Sequence, residues 1–134
     1  MASIHVQNDD GSAIPPVVAL GGPSQSFAAT IANGASVSGI IDLTTLRMFG
    51  LLMDPTAWTA AAITFLGSAD GVNFYSVYDS TGAEINWTVA AQTYVLAANP
   101  AEFLGIRYLK VRSGTTATPV NQGAARVVTI IGVP

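Results

Sequence analysis

Nucleophilic catalysis, metal binding and acid-base catalysis each need particular side chains held close together, and this chain offers few of them. It has one histidine, His5, and no cysteine. A Ser-His-Asp arrangement needs a base held rigidly beside the serine, whereas His5 stands in an N-terminal arm, where it reads as an ordinary solvated or satisfied histidine. Transition-metal sites draw on clustered His or Cys, which a single histidine cannot supply. Carboxylates are the remaining candidates. Of the eight acidic residues, Asp70, Asp79 and Glu84 fall in one hairpin region, and two acids flanking a bond could serve glycoside hydrolysis. Yet Asp70 precedes Gly71, and Asp79 precedes Ser80-Thr81-Gly82. Those are positions where aspartate caps a turn through the neighbouring backbone. The segment SADGVN, Ser68 to Asn73, is too sparse for a calcium loop, and the glycines of VALGGPSQS run into Pro23 rather than into a helix start that could cradle phosphate. The reading is therefore no catalytic residue, no metal and no cofactor, with Asp70, Gly71 and Gly82 as structural turn residues.

A second chemistry rests on flat apolar rings with polar edges. Trp58, Tyr75, Tyr78, Trp87, Tyr94 and Tyr108 could supply a stacking platform for sugars if several were exposed together; core or interface positions are the competing reading. Nucleic acid is a poor partner, because five Lys and Arg in all and a net charge of -3 leave no concentrated basic face to neutralise phosphates.

The elements that would position these groups are short and extended. Met1 to Pro23 carries the Pro15-Pro16 pair and Gly21-Gly22-Pro23 around the apolar VVAL stretch, which predicts an extended arm with at most an edge strand. Ile14, Pro15, Pro16, Val17, Val18 and Leu20 are its candidate interaction residues, either along the domain itself or on a neighbouring subunit. Residues 24–134 then form one β domain. Asn33-Gly34 is a hairpin signal between Ser26 to Ile31 and Ser36 to Leu43. Further strands are predicted at Met48 to Met53, Ile63 to Leu66, Phe74 to Tyr78, Glu84 to Val89, Thr93 to Leu96, Arg107 to Arg112 and Arg126 to Ile131, with Trp58 to Ala62 as a possible helical turn. In RYLKVR, Leu109 and Val111 share one side and Tyr108, Lys110 and Arg112 the other. VVTII is apolar on both sides, as in a strand buried centrally or between subunits. About eight to ten short strands separated by turn signals predict an all-β, antiparallel β-sandwich or jelly-roll with an extended N-terminal arm.

Composition points the same way. Half the residues are hydrophobic, but the longest apolar runs are too short to span a bilayer, so no membrane partner is expected. No secretory signal is apparent, and the absence of cysteine suits a reducing cytoplasm. Only 10% of residues are charged, against roughly a quarter in ordinary domains. Such a surface is small and weakly polar, or is covered by other subunits.

SADGVNFYSVYD followed by GIRYLKVR resembles discoidin-like jelly-roll binding modules in the second half of the chain. The fuller combination, IIDLTTLRMFGLLMDPTAWTAAAITFLGSADG, NFYSVYDSTGAE and FLGIRYLKVRSGTTATPVNQGAARVVTIIGV, resembles small virion proteins of tailed bacteriophages. That resemblance implies a structural β-sandwich of the phage particle, a capsid decoration (cement) protein, with no enzymatic activity. It implies the major capsid protein and copies of itself as partners, a homotrimer over a threefold axis, and a place in the virion after synthesis in the host cytoplasm. The alternative is a tail or fibre component that binds a host receptor or glycan. The cysteines that often tie the ends of discoidin modules are missing here.

Overall fold

The structure is a computed structural model that describes residues 24–134, together with the backbone of β1 (Val6–Gln7) and β2 (Ala13–Ile14), which pair antiparallel. The remaining elements, in chain order, are β3 (Gln25–Ile31), β4 (Ile41–Asp42), β5 (Arg47–Met53), β6 (Ile63–Ser68), β7 (Tyr75–Ser76), β8 (Asn86–Trp87), β9 (Thr93–Leu96), one turn of 3-10 helix (Pro100–Phe103), β10 (Tyr108–Ser113) and β11 (Arg126–Val133). They form an all-β antiparallel sandwich. The first sheet has the order β3-β11-β5-β9, and the second has β4-β10-β6-β7, with β8 sharing an edge of β6 with β7.

Alternation decides which residues fill the space between the sheets. From the first sheet, Ile31, Leu51, Met53, Val128 and Ile130 point inward and are fully buried; from the second, Ile63, Phe65, Leu109 and Val111 do the same. Phe65, Trp87 and Phe103 meet edge to face, with ring centroids 5.1, 5.1 and 5.7 Å apart. Edge-to-face pairs add about 0.5–1.5 kcal/mol each beyond area burial, so this triad fixes the 3-10 turn and β8 against the second sheet. Near the end of β11 the ladder with β5 shifts register between Ile131 and Gly132. Gly132 is needed there because a Cβ would stand 2.5 Å from the Arg47 carbonyl oxygen and 2.8 Å from Leu46 Cγ.

Thr93 to Leu96 is a strand with the bounds expected, and β3, β5, β6, β10 and β11 lie within two residues of theirs. Three expectations are corrected. Asn33-Gly34 does turn the chain, but its arms do not pair as a hairpin: a single bridge joins Ile31 to Ser38, β3 pairs along its length with β11, and the chain after the turn crosses to the second sheet, where Val37 bridges Arg112 and β4 pairs with β10. The long apolar partner β11 offers β3 a full ladder, so the turn acts as a corner between sheets. Trp58 to Ala62 forms no helical turn. The buried Gln122 side chain accepts from Thr59 N (2.9 Å) and donates to the Thr59 carbonyl (3.0 Å), which replaces local backbone pairing with a tie to a distant loop. Asn99-Pro100, one of the turn signals between the expected strands Thr93 to Leu96 and Arg107 to Arg112, instead starts the 3-10 helix: Asn99 Oδ1 accepts from Ala101 N, with proline in the first turn.

Because Phe65 touches both other rings and is fully buried, Phe65→Ala is expected to cost about 3–5 kcal/mol of unfolding free energy. Urea denaturation followed by tryptophan fluorescence measures this, and a loss below about 1 kcal/mol would show that the triad does not hold the sandwich together.

Candidate functional site

The Ser68–Asn73 loop carries the residues with most chemical promise. β6 ends at Ser68, and Asp70 then folds its carboxylate back into the loop. Asp70 Oδ1 accepts from Val72 N (2.8 Å), Asn73 N (2.9 Å) and Ser68 Oγ (2.9 Å), while Oδ2 accepts from Asn73 Nδ2 (2.9 Å). Ser68 Oγ in turn accepts from Gly71 N (2.9 Å) and Asp70 N (3.2 Å). The backbone N–H of Asn73, then that of Val72, then the Asn73 and Ser68 side chains hold the Asp70 carboxyl far below the usual carboxylate range. The carboxylate's lone pairs are thus taken up by its own loop, and the Ser68–Asp70 contact closes a turn. Gly71 lies at φ +76, with the Tyr108 ring 3.4 Å from where a Cβ would be.

The other two candidate turns follow the same pattern. Asp79 Oδ1 accepts from Thr81 Oγ1 (2.5 Å), Thr81 N (2.8 Å) and Ala83 N (3.1 Å), and the Asp79 carbonyl accepts from Gly82 N (3.0 Å). The Thr81 hydroxyl is the leading cause of a lowered carboxyl pKa there. Asp42 does the same with the hydroxyl and N–H of Thr44, the hydroxyl again lowering its pKa most.

Glu84 is used differently. Arg112, 6% exposed, sends Nη2 to Glu84 Oε2 (2.7 Å) and to Thr116 Oγ1 (2.8 Å), and Nε to Thr64 Oγ1 (2.9 Å). Ser76 Oγ accepts from both Nη1 and Nη2 at 3.2 Å, and Thr116 donates from its backbone N (3.1 Å) and its hydroxyl (2.5 Å) to Glu84 Oε2. Alternation placed Arg112 on the face away from Leu109 and Val111, and it is there; that the 76–84 hairpin and the 113–119 loop close over it depends on distant contacts with no local signal. Every polar atom in the cluster has a partner, which makes it a clamp that joins β6, β7 and β10 to two loops. Asp70, Asp79 and Glu84 thus serve three separate local structures. No group of three or more His, Cys, Asp or Glu among the described residues could hold a metal ion.

The six large aromatics do not form one platform. Trp87 is in the core and Trp58 is partly buried, its Nε1 donating to the Ala61 carbonyl (3.0 Å). Tyr108 lies beneath Gly71 with the Arg107 guanidinium 5.1 Å from its ring centroid, and Tyr94 belongs to the other sheet. Tyr75 and Tyr78, 71% and 51% exposed, line a groove of about 370 Å³ with Gly67, Val77 and Ile106.

A further unassigned surface is the outer face of the first sheet. The register aligns Ser26, Ile131, Gly50 and Leu96 in one row across the four strands, and Ala28, Thr129, Leu52 and Tyr94 in the next. No charged residue stands in either row. Tyr94, Leu96 and Val127 are 55%, 70% and 46% exposed, on a face where an antiparallel sheet ordinarily meets water with polar side chains. β11, expected to be apolar on both sides, is central in its sheet and presents Val127 and Ile131 to this face. Of the arm candidates, Ile14 is described only as backbone in β2, and Pro15, Pro16, Val17, Val18 and Leu20 lie outside the described residues.

These features define a two-sheet antiparallel β-sandwich with self-satisfied polar loops and one sheet face that is charged only at its Arg47 end. The chain matches no protein-family model, no curated protein and no solved structure.

Two measurements check the loop assignment. Gly71→Val forces a β-branched residue into the left-handed region, a backbone cost of about 1–2 kcal/mol, and is expected to lower the melting temperature; an unchanged value would refute the turn role. Since the folded-state pKa of Asp70 is depressed, its stabilisation is complete above the usual value of 3.8 and is lost as pH falls through the depressed one. Asp70→Asn is therefore expected to be less stable than wild type at pH 7, with the gap in urea midpoints narrowing steadily below pH 3.8. A gap independent of pH would contradict it.

Proposed function

We propose that the protein is a structural component of a tailed-bacteriophage particle, a capsid decoration protein that binds the outer shell and stabilises it through subunit contacts. The observation that carries this reading is the outer face of the first sheet, where two successive rows across four strands hold no charge, on a chain with only 10% charged residues. The polar groups with chemical promise in the described residues are engaged in holding the protein's own loops, so what remains for its surface is association, not turnover. The resemblance of residues 36–133 to small phage virion proteins supplies the setting. In this reading the major capsid protein and further copies of the chain are the partners, with a trimer over a threefold axis, and the site of action is the virion.

A second reading has its own supporting observation. The groove brings the exposed Tyr75 and Tyr78 together with Val77 and Ile106 and with the hydroxyl-bearing Ser68 and Ser76, a mix of rings and polar groups that suits a sugar and would fit a tail or fibre module that binds a host glycan.

Co-sedimentation with undecorated phage shells separates the two. The decoration reading expects the purified protein to pellet with shells, and expects deletion of residues 1–23 to weaken that attachment. A protein that stays in the supernatant while binding immobilised glycans would overturn it in favour of the second.

A further inference from the structure

Asn33-Gly34 is the one Asn-Gly pair in the chain, and such a pair is chemically labile. The backbone nitrogen after an asparagine can attack the side-chain carbonyl carbon, and glycine, with no Cβ, obstructs that attack least. Here the nucleophile is Gly34 N and the electrophile Asn33 Cγ. Asn33 is exposed, and its side chain makes no hydrogen bond among the described residues, so the electrophile is open to solvent.

The nucleophile is withheld twice over. Ala35 N donates to the Ala32 carbonyl (3.0 Å), which closes a turn with Asn33 and Gly34 at its centre. Gly34 has φ +77 while Asn33 keeps a negative φ, the combination of a type II turn, whose first central ψ is about +120°. Closing a five-membered ring needs Asn33 Cβ and Gly34 N eclipsed about the Cα–C bond, and in a type II turn they stand about 120° apart. The Gly34 N–H also donates to the Gln122 carbonyl (2.9 Å), and Gln122 N donates to the Ala35 carbonyl (3.0 Å). Gln122 cannot swing aside. Its side chain is buried and saturated: Oε1 accepts from Thr59 N and Arg126 Nε, and Nε2 donates to the Thr59 carbonyl and Ser113 Oγ.

We propose that Asn33-Gly34 is a self-modification site that Gln122 holds shut, so that Asn33 becomes aspartate or isoaspartate only when this corner between the sheets opens. On opening, hydroxide takes the Gly34 amide proton, the nitrogen bonds to Asn33 Cγ, and the Cγ–Nδ2 bond breaks as the leaving nitrogen takes a proton from water and departs as ammonia. Water then opens the cyclic imide at either carbonyl; nothing is oxidised or reduced. The product carries a new carboxylate on a chain already at -3. In the isoaspartate form the backbone gains a methylene, so the Gly34 N–H no longer meets the Gln122 carbonyl, and the change is one-way. It stands whether or not the protein belongs to a viral particle.

The test follows deamidation by peptide mapping in mildly alkaline buffer, with mass spectrometry to detect amide hydrolysis and chromatographic retention to separate isoaspartate. Folded protein is expected to convert Asn33 roughly tenfold or more slowly than protein unfolded in urea. Below the unfolding transition, the deamidation rate and the exchange rate of the Gly34 amide, read by nuclear magnetic resonance, are expected to rise in parallel as urea is added. Gln122→Ala, with folding checked by tryptophan fluorescence, is expected to deamidate several-fold faster than wild type; if that variant does not fold, the urea series decides. Equal rates in folded and unfolded protein, a deamidation rate that does not follow Gly34 exchange, or a folded Gln122→Ala variant no faster than wild type would overturn the proposal.

Discussion

Scarcity of charge is the constraint on which the rest of this structure depends. With five basic and eight acidic residues in 134, each ionised group has a disproportionate effect on where water is held. Asp42, Asp70 and Asp79 each accept several hydrogen bonds from the turn that follows. The buried Arg112 and the half-buried Glu84 are paired in a clamp between loops, Lys110 Nζ lies 4.4 Å from the Phe74 ring centroid, and Arg126 Nε donates to Gln122 Oε1 (3.3 Å). These charges stabilise loops and corners. The flat sheet face between them is left to Ser, Ala, Thr, Gly and a few large apolar side chains.

That distribution has an energetic logic. Turns are where backbone N–H groups lack ladder partners, and a carboxylate satisfies two or three of them at once. The Arg112 clamp is costlier, because burying a guanidinium and a carboxylate requires that their remaining donors and acceptors be met. Thr64, Ser76 and Thr116 meet them. The clamp holds the short strand β7 and the 76–84 hairpin against β6. Catalytic sites ordinarily leave a reactive group under-coordinated and aimed at a cavity; here the groups that could react are turned inward and saturated.

Much of this was legible in the sequence, for reasons that differ between elements. Thr93 to Leu96 and RYLKVR could be read because one face of each strand is buried and the period of two survives in the residue types. Asp70-Gly71 and Asp79 to Gly82 could be read because turn chemistry is local. The sheet-switching corner at Asn33-Gly34 could not, since whether two strands joined by a turn pair with each other depends on β11, almost a hundred residues away. Nor could the Arg112 clamp, whose partners Thr64, Ser76 and Glu84 are separated from it by 28 to 48 positions. The rows of the outer face needed the register of four strands, which no single stretch of sequence contains. By contrast, the signal for the 3-10 turn was present locally, in an asparagine cap followed directly by proline.

If this sparsely charged face exists to be covered, the protein should not remain a single chain as its concentration rises. Light scattering on the purified protein over a wide concentration range measures this most directly. The expected result is a mass that climbs from near 13.7 kDa toward a multiple of it. A mass that stays at 13.7 kDa at every concentration would contradict the claim that this surface is built for contact with further copies of the chain.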